Sequence, residues 1–256
     1  MAIFIIFNRN MLILNDLLKK IVFKIIDFFF PSKCLLCKND IIDQLSICQT
    51  CWFALNFISK PFCNICGRPF EFSMQKNFTC LKCIANKPFY DLARGIFKFD
   101  EHSKKLIHAF KYYDMTNLAP FFASILYNKY KEEINTYDLI IPVPMHKLKR
   151  LYRLYNQAFL LAKALSKISN KKIACDVLLK SKWTKPQTFL SKKERISNLE
   201  GSFKINNQTS IKNKKIILID DVSTTSTTID ICSKALKKHG AANILVLCIA
   251  FTPHIQ

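Results

Sequence analysis

The chain has 256 residues, half of them apolar, with 39 basic side chains against 18 acidic ones and 11 cysteines. That length and apolar content allow one medium domain plus a small one with a sizeable core, while Asp16, Lys19, Lys20, Lys24 and Asp27 break the apolar N-terminal stretch and exclude a membrane span there. Charge is uneven: residues 146–215 carry 18 basic and 3 acidic side chains, whereas 91–145 carry 7 of each and 216–256 carry 3 of each.

One segment therefore holds most of the excess, which points to an anionic partner such as nucleic acid or polyphosphate. A coding bias toward Lys accounts for a modest overall excess, but less well for neutral flanks in the same chain.

In chain order, the apolar start at residues 1–7 lacks a preceding basic region and a small-residue cleavage site, so no export signal is read and a cytoplasmic protein is expected. Leu14, Leu17, Leu18, Ile21, Ile25 and Phe28 recur at helical spacing. They predict an amphipathic helix within residues 1–30 that packs on the rest of the protein. A helix lying on a membrane surface is the alternative.

Residues 31–88 form the next module. Eight cysteines make four Cys-x-x-Cys pairs, Cys34/Cys37, Cys48/Cys51, Cys63/Cys66 and Cys80/Cys83. Two intervening residues let a tight knuckle aim both sulfurs at one ion, and two knuckles complete a four-cysteine shell for structural zinc. The segment is too short to bury a core, and zinc binding in such peptides supplies on the order of 10 kcal/mol of folding energy. Disulfides would need an oxidising compartment, and an iron–sulfur cluster is a further alternative. Consecutive pairing, favoured by the gaps of 10 and 13 residues within each proposed ribbon, gives a double ribbon; interleaved pairing gives a cross-braced module. Trp52, Phe53, Phe57, Phe62, Phe70, Phe72 and Phe78 interleave with cations, and any left exposed could stack on bases. Cys175, Cys232 and Cys248 sit in apolar stretches and are expected in the core.

Residues 89–256 alternate strands and helices after a link at 88–91. Strands are expected at 95–99, 137–144, 173–179, 215–219 and 243–251, and helices at 103–112, 117–131, 153–169 and from about 227. Residues 181–200, polar and basic, read as a loop. This order predicts an α/β fold with a mostly parallel, twisted sheet covered on both faces. Ligands of such sheets bind beyond the carboxyl ends of the strands.

The chemistry concentrates at one strand end. Ile216, Ile217, Leu218 and Ile219 read as a strand buried on both faces. Asp220 and Asp221 follow, then six hydroxyl residues, Ser223, Thr224, Thr225, Ser226, Thr227 and Thr228, and then a helix. Turn amides and a helix N-terminus favour a phosphate; the carboxylates can accept hydrogen bonds from ribose hydroxyls or face a metal ion. An ordinary strand-to-helix turn capped by Asp and Ser is the bland alternative.

From roughly residue 20 to 251 the chain resembles the ComF family of bacterial competence proteins, which join a zinc ribbon to a type I phosphoribosyltransferase fold. The resemblance rests on the four cysteine pairs, Leu106-Ile107-His108-Ala109-Phe110-Lys111-Tyr112, Ile141-Pro142-Val143-Pro144 and Arg153-Leu154-Tyr155-Asn156-Gln157. It continues through Thr184-Lys185-Pro186-Gln187, Leu190-Ser191-Lys192-Lys193-Glu194-Arg195, Asn198, Gly201 and the stretch around Asp220 and Asp221. It implies that Asp220 and Asp221 bind the ribose of phosphoribosyl pyrophosphate and that the hydroxyl turn holds its 5′-phosphate. Lys147 and Arg150 would lie near the pyrophosphate, and Gln187 and Arg195 on a flap over the site. Magnesium would arrive with the pyrophosphate. Two departures stand out: Ser226 replaces the family's usual glycine in the phosphate turn, and Leu154 replaces a glycine before Asn156.

Two functions follow from different classes. One is handling of single-stranded DNA during natural transformation, through the basic segment 146–215 and with a competence helicase or uptake proteins as partners. The other is phosphoribosyl transfer in nucleotide or amine metabolism, in which Lys147, Arg150 and Arg195 would stabilise the departing pyrophosphate. An inert descendant with only an interaction role is a third reading.

Overall fold

The computed structural model describes residues 32–41, 47–70, 78–112, 115–145, 155–181, 201–206, 210–224 and 226–252. The expected N-terminal helix lies outside the described residues. The chain divides into two compact units, Met1–Ala54 and Leu55–Gln256.

In the first unit, β1 (Ser32–Lys33) pairs antiparallel with β2 (Asp40–Ile41). Between them the Cys34 amide donates to the Asn39 carbonyl and the Lys38 amide to the Cys34 carbonyl, which closes a tight knuckle. A single helical turn, α1 (Gln49–Phe53), starts at the other cysteine pair.

The second unit has the Cys63/Cys66 turn, hereafter the second knuckle, and α2 (Leu81–Ala85) ahead of the sheet. Its elements are β3 (Leu92–Lys98), α3 (Glu101–Tyr112), α4 (Leu118–Asn135), β4 (Leu139–Pro142), α5 (Gln157–Ser169) and β5 (Lys172–Ile173). They continue with β6 (Leu178–Lys180), β7 (Phe203–Ile205), β8 (Lys215–Ile219), β9 (Val222–Ser223), α6 (Thr227–Lys238) and β10 (Asn243–Phe251). The sheet order is β3-β10-β8-β4-β5 and every pairing is parallel, with β9 added to β10 beyond the end of β8.

After their first residues the central strands β8 and β10 are apolar because both faces are covered. Ile216 and Leu218 of β8 and Ile244, Val246 and Cys248 of β10 share one buried cluster with Ile229, Cys232 and Leu236 of α6. Strand alternation turns Ile217, Ile219, Leu245 and Leu247 to the opposite face, where α4 lies on β3 and β10 and α5 on β4 and β8. The α/β architecture with a parallel sheet is thus the one expected. Residues 56–58 run along the outer edge of β3, with the Ile58 amide bonded to the Ile96 carbonyl and the Lys98 amide to the Asn56 carbonyl. They cover an edge that would otherwise present unpaired backbone groups.

Two expectations are corrected. The single strand expected at 173–179 is two strands: β5 ends the main sheet, and β6 pairs antiparallel with β7 in a separate hairpin. The chain bends between them at the exposed Cys175 and Asp176. Cys175 is therefore a surface residue rather than a core one, whereas Cys232 and Cys248 are fully buried.

Candidate functional site

The eight paired cysteines form two clusters in consecutive order, Cys34, Cys37, Cys48 and Cys51 in one, and Cys63, Cys66, Cys80 and Cys83 in the other. The Cys37 and Cys48 sulfurs are 3.6 Å apart and those of Cys66 and Cys80 are 3.7 Å apart. A tetrahedral ion with Zn–S bonds of about 2.3 Å requires sulfurs about 3.8 Å apart, and a disulfide requires about 2.05 Å. Both clusters have zinc dimensions. The Cys48 amide points at the Cys34 sulfur and the Cys80 amide at the Cys63 sulfur, each at 3.3 Å. Such amides favour the thiolates that a metal needs. In the second cluster the Cys66 thiol, helped by backbone amides and opposed by burial, brings Cys63 down to about 4. In the first, burial opposes the change, but the Cys37 and Cys48 amides bring Cys34 down to about 6.

The carboxylate pair sits where β8 ends. The Asp220 amide still bonds to Leu247 of β10, and the Ile249 amide bonds back to the Asp221 carbonyl, so the backbone leaves β8 and rejoins β10 as β9. Asp220 Oδ1 accepts from the Asp221 amide at 2.9 Å, and Asp221 Oδ1 accepts from the Val222 amide at 2.6 Å. Asp221 Oδ2 lies 2.9 Å from Lys111 Nζ, with the two side chains 17% and 20% exposed. Lys111 is delivered by the last turn of α3, which α5 holds in place: Tyr155 Oη donates to the Phe110 carbonyl and Gln157 Nε2 to the Lys111 carbonyl. Asn156 caps α5 by accepting from the Ala158 amide and ties it to β4 by donating to the Val143 carbonyl.

Ser223, the last residue of β9, is buried, and beyond it Ser226 is left-handed, at φ +62°. The Ser223 and Ser226 hydroxyls are 3.0 Å apart. Ser226 occupies the N-cap of α6 but makes no side-chain bond to it. Arg68, from the second knuckle, donates through Nη1 to the Thr252 carbonyl, and through Nη2 to the Thr224 carbonyl and to Ser226 Oγ. Thr227 and Thr228 form the first turn of α6. Beside this turn a groove of about 970 Å³ runs between the second knuckle, α6 and β7. Lys82, Lys87, Lys204, Lys234 and Lys238 line it, and Ser226 and Thr227 reach it; Asp220 and Asp221 do not line it.

A phosphoribosyl transferase domain model matches residues 122–255, just over half of the chain, from within α4 through the last strand. The chain belongs to the phosphoribosyl transferase domain family. A double zinc ribbon domain model matches residues 25–84, so the domain carries a ribbon ahead of it in the order the motifs suggested. Competence protein F of Haemophilus influenzae is 29% identical over 87% of this chain and 98% of its own length. DNA utilization protein YhgH of Escherichia coli K12 is 25% identical over the same shares, and Competence protein ComFC of Bacillus subtilis is 25% identical over 77% of this chain and 80% of its own length. Among solved structures, purine phosphoribosyltransferase from Pyrococcus horikoshii is 22% identical over 53% of this chain and 73% of that chain, at a TM-score of 0.32.

Within this phosphoribosyl transferase domain, Asp220, Asp221, Ser223, Thr224, Ser226, Thr227 and Thr228 are gathered at the carboxyl end of β8. Thr225, Lys147, Arg150, Gln187 and Arg195 lie outside the described residues, as does Phe72 of the ribbon. Phe53 is 75% exposed and Phe78 is also exposed, whereas Phe57 and Phe62 pack inward, Phe62 beneath Arg94. Sequence reasoning assigned no role to Lys111 or Arg68. Lys111 lay inside a motif already singled out; Arg68 carried no signal beyond its place after a cysteine knuckle.

Among the described residues no helix is long and apolar enough to cross a membrane.

Proposed function

We propose that this chain binds a ligand of the phosphoribosyl pyrophosphate type at the carboxyl end of β8 and handles single-stranded DNA inside the cell during natural transformation. One observation carries the first half: a carboxylate pair, a hydroxyl turn and a helix start coincide at a single strand end. Ribose hydroxyls are donors, and each Asp oxygen keeps a second lone pair after its bond to the protein. The side chain at the N-cap of α6 is turned back to Ser223 and Arg68, so a phosphate oxygen is the acceptor that the helix start favours. Asp221 is already paired with Lys111; magnesium would be held chiefly by ligand oxygens. Lys147, Arg150, Gln187, Arg195 and Thr225 complete this reading, the first two at the pyrophosphate, the next two on the covering flap and the last in the phosphate turn.

The DNA half draws support from the names of the relatives, two of them competence proteins and one a DNA utilization protein, and from the groove. Its five lysines present a cationic track, and Phe89, exposed on its wall under Lys234, offers a ring on which a base can stack. Uptake proteins or a competence helicase would be the partners. Binding to a fluorescent oligo-dT, followed by anisotropy across salt, tests it. Five phosphate contacts on a single strand give a slope of log K against log salt of about −3.5, and joint Lys204→Glu and Lys234→Glu substitution removes at least about 1.4 of it. No binding at low salt, or a flat response, refutes the DNA half.

A further inference from the structure

The second cysteine knuckle does more than sit beside the sheet. Its turn closes through the Gly67 amide on the Cys63 carbonyl and the Cys63 amide on the Arg68 carbonyl. Gly67 has φ +67°, and a Cβ there would lie 2.1 Å from the Ala93 carbonyl oxygen. The knuckle is thus flush against β3, where the Ala93 amide also bonds to the Ile65 carbonyl. The backbone of Arg68 is fixed from two sides, by the sulfur cluster and by the edge strand.

From that anchor the Arg68 side chain crosses to the hydroxyl turn and is only 4% exposed. Its guanidinium meets three oxygens that frame the turn: the carbonyls of Thr224 and Thr252 and the hydroxyl of Ser226. Among the described residues no ion pair engages it. Its partners among the described residues are dipoles, and a buried guanidinium so placed is a strong local source of positive potential. It lies directly behind a turn whose left-handed serine is strained relative to glycine, and the hydrogen bond to Ser226 Oγ holds that conformation.

Resting on the reading that the turn receives a phosphate, we propose that Arg68 is a positioning residue for it. The cysteine knuckle sets Arg68, Arg68 sets the left-handed Ser226 and places a cation behind the turn, and anion binding by the transferase domain therefore depends on the second four-cysteine cluster. Ribbon and transferase domain are in this respect one ligand-binding device rather than a binding module appended to a fold.

Arg68→Met and Arg68→Lys, in the full chain with its zinc, test this. Calorimetry with phosphoribosyl pyrophosphate and Mg²⁺ gives the affinity, metal analysis gives the zinc content, and amide exchange at Ser223, Thr224, Ser226 and Thr227 reports the turn without ligand. The expected result is undiminished zinc, faster exchange confined to the turn, and affinity lowered about tenfold or more in Arg68→Met, with partial recovery in Arg68→Lys, which keeps the charge but not the fork. Unchanged exchange at the turn in Arg68→Met overturns the proposal, whether or not ligand binds. Wild type that binds with an affinity Arg68→Met shares overturns it and leaves the phosphate reading standing. Wild type that binds nothing removes the phosphate reading itself, and the coupling with it.

Discussion

Glycine at position 226 should be more stable than alanine there, and the size of the difference follows from the turn. Ser226 stands at φ +62° with its hydroxyl 3.1 Å from Arg68 Nη2 and 3.0 Å from the Ser223 hydroxyl. Alanine keeps the Cβ in the left-handed region and loses both hydrogen bonds, at about 1 kcal/mol each, so it should cost about 2 kcal/mol. Glycine loses the same bonds but recovers roughly 1–2 kcal/mol of backbone strain and gives back about 0.5 kcal/mol through its freer unfolded chain. Glycine should therefore exceed alanine by about 1 kcal/mol, or about 2–4 °C in Tm for a chain of this size. Urea unfolding of the zinc-loaded variants at one fixed zinc concentration measures it. Equal stabilities, or alanine the more stable, would mean that the turn is not left-handed at 226 and that the serine needs no support.

The remaining predictions concern charge and metal. Burial lowers Lys129 from 10.5 to about 8, with its ammonium against the Ile58 carbonyl. Between those values the unfolded chain holds the proton and the folded one releases it, so stability should rise with pH from about 8 to 10.5 by this residue; a stability–pH profile of Lys129→Met parallel to wild type in that window would contradict it. In the first cluster Cys37 is exposed, whereas all four cysteines of the second are buried. A chelator with a colorimetric zinc indicator should release two zinc per chain in two phases, the first cluster emptying first, and Cys37→Ser should remove the fast phase; a single phase in wild type would refute the ordering.

What was legible in the sequence was what is local. Four aliphatic residues, two acids, six hydroxyls and a helix pattern are contiguous, so the strand end and its turn could be read without knowing any neighbour. The same holds for the all-apolar run that becomes β10 and for the short gaps within each cysteine ribbon. What escaped depends on distant partners. Arg68 meets Thr224 across 156 positions, and Lys111 meets Asp221 only because Tyr155 and Gln157 hold the end of α3. The Arg153-Leu154-Tyr155-Asn156-Gln157 motif reads in sequence as a helix entry with a lost glycine; its described residues act as the bracket that aims a lysine. The hairpin of β6 and β7 joins two three-residue strands that are far apart in sequence, too short for periodicity to register. Cys175 was misjudged for a related reason. Its apolar flanks suggested burial, but Asp176 beside it belongs to a bend that lifts both residues to the surface.

The most direct measurement is calorimetric titration of phosphoribosyl pyrophosphate with Mg²⁺ into the intact zinc-loaded chain and into the Asp220→Asn/Asp221→Asn pair. Saturable heat in the first, lost in a second that keeps its zinc and its unfolding temperature, is the predicted result. No heat from the intact chain, or the same isotherm from both, would contradict the assignment of that strand end to a phosphorylated pentose.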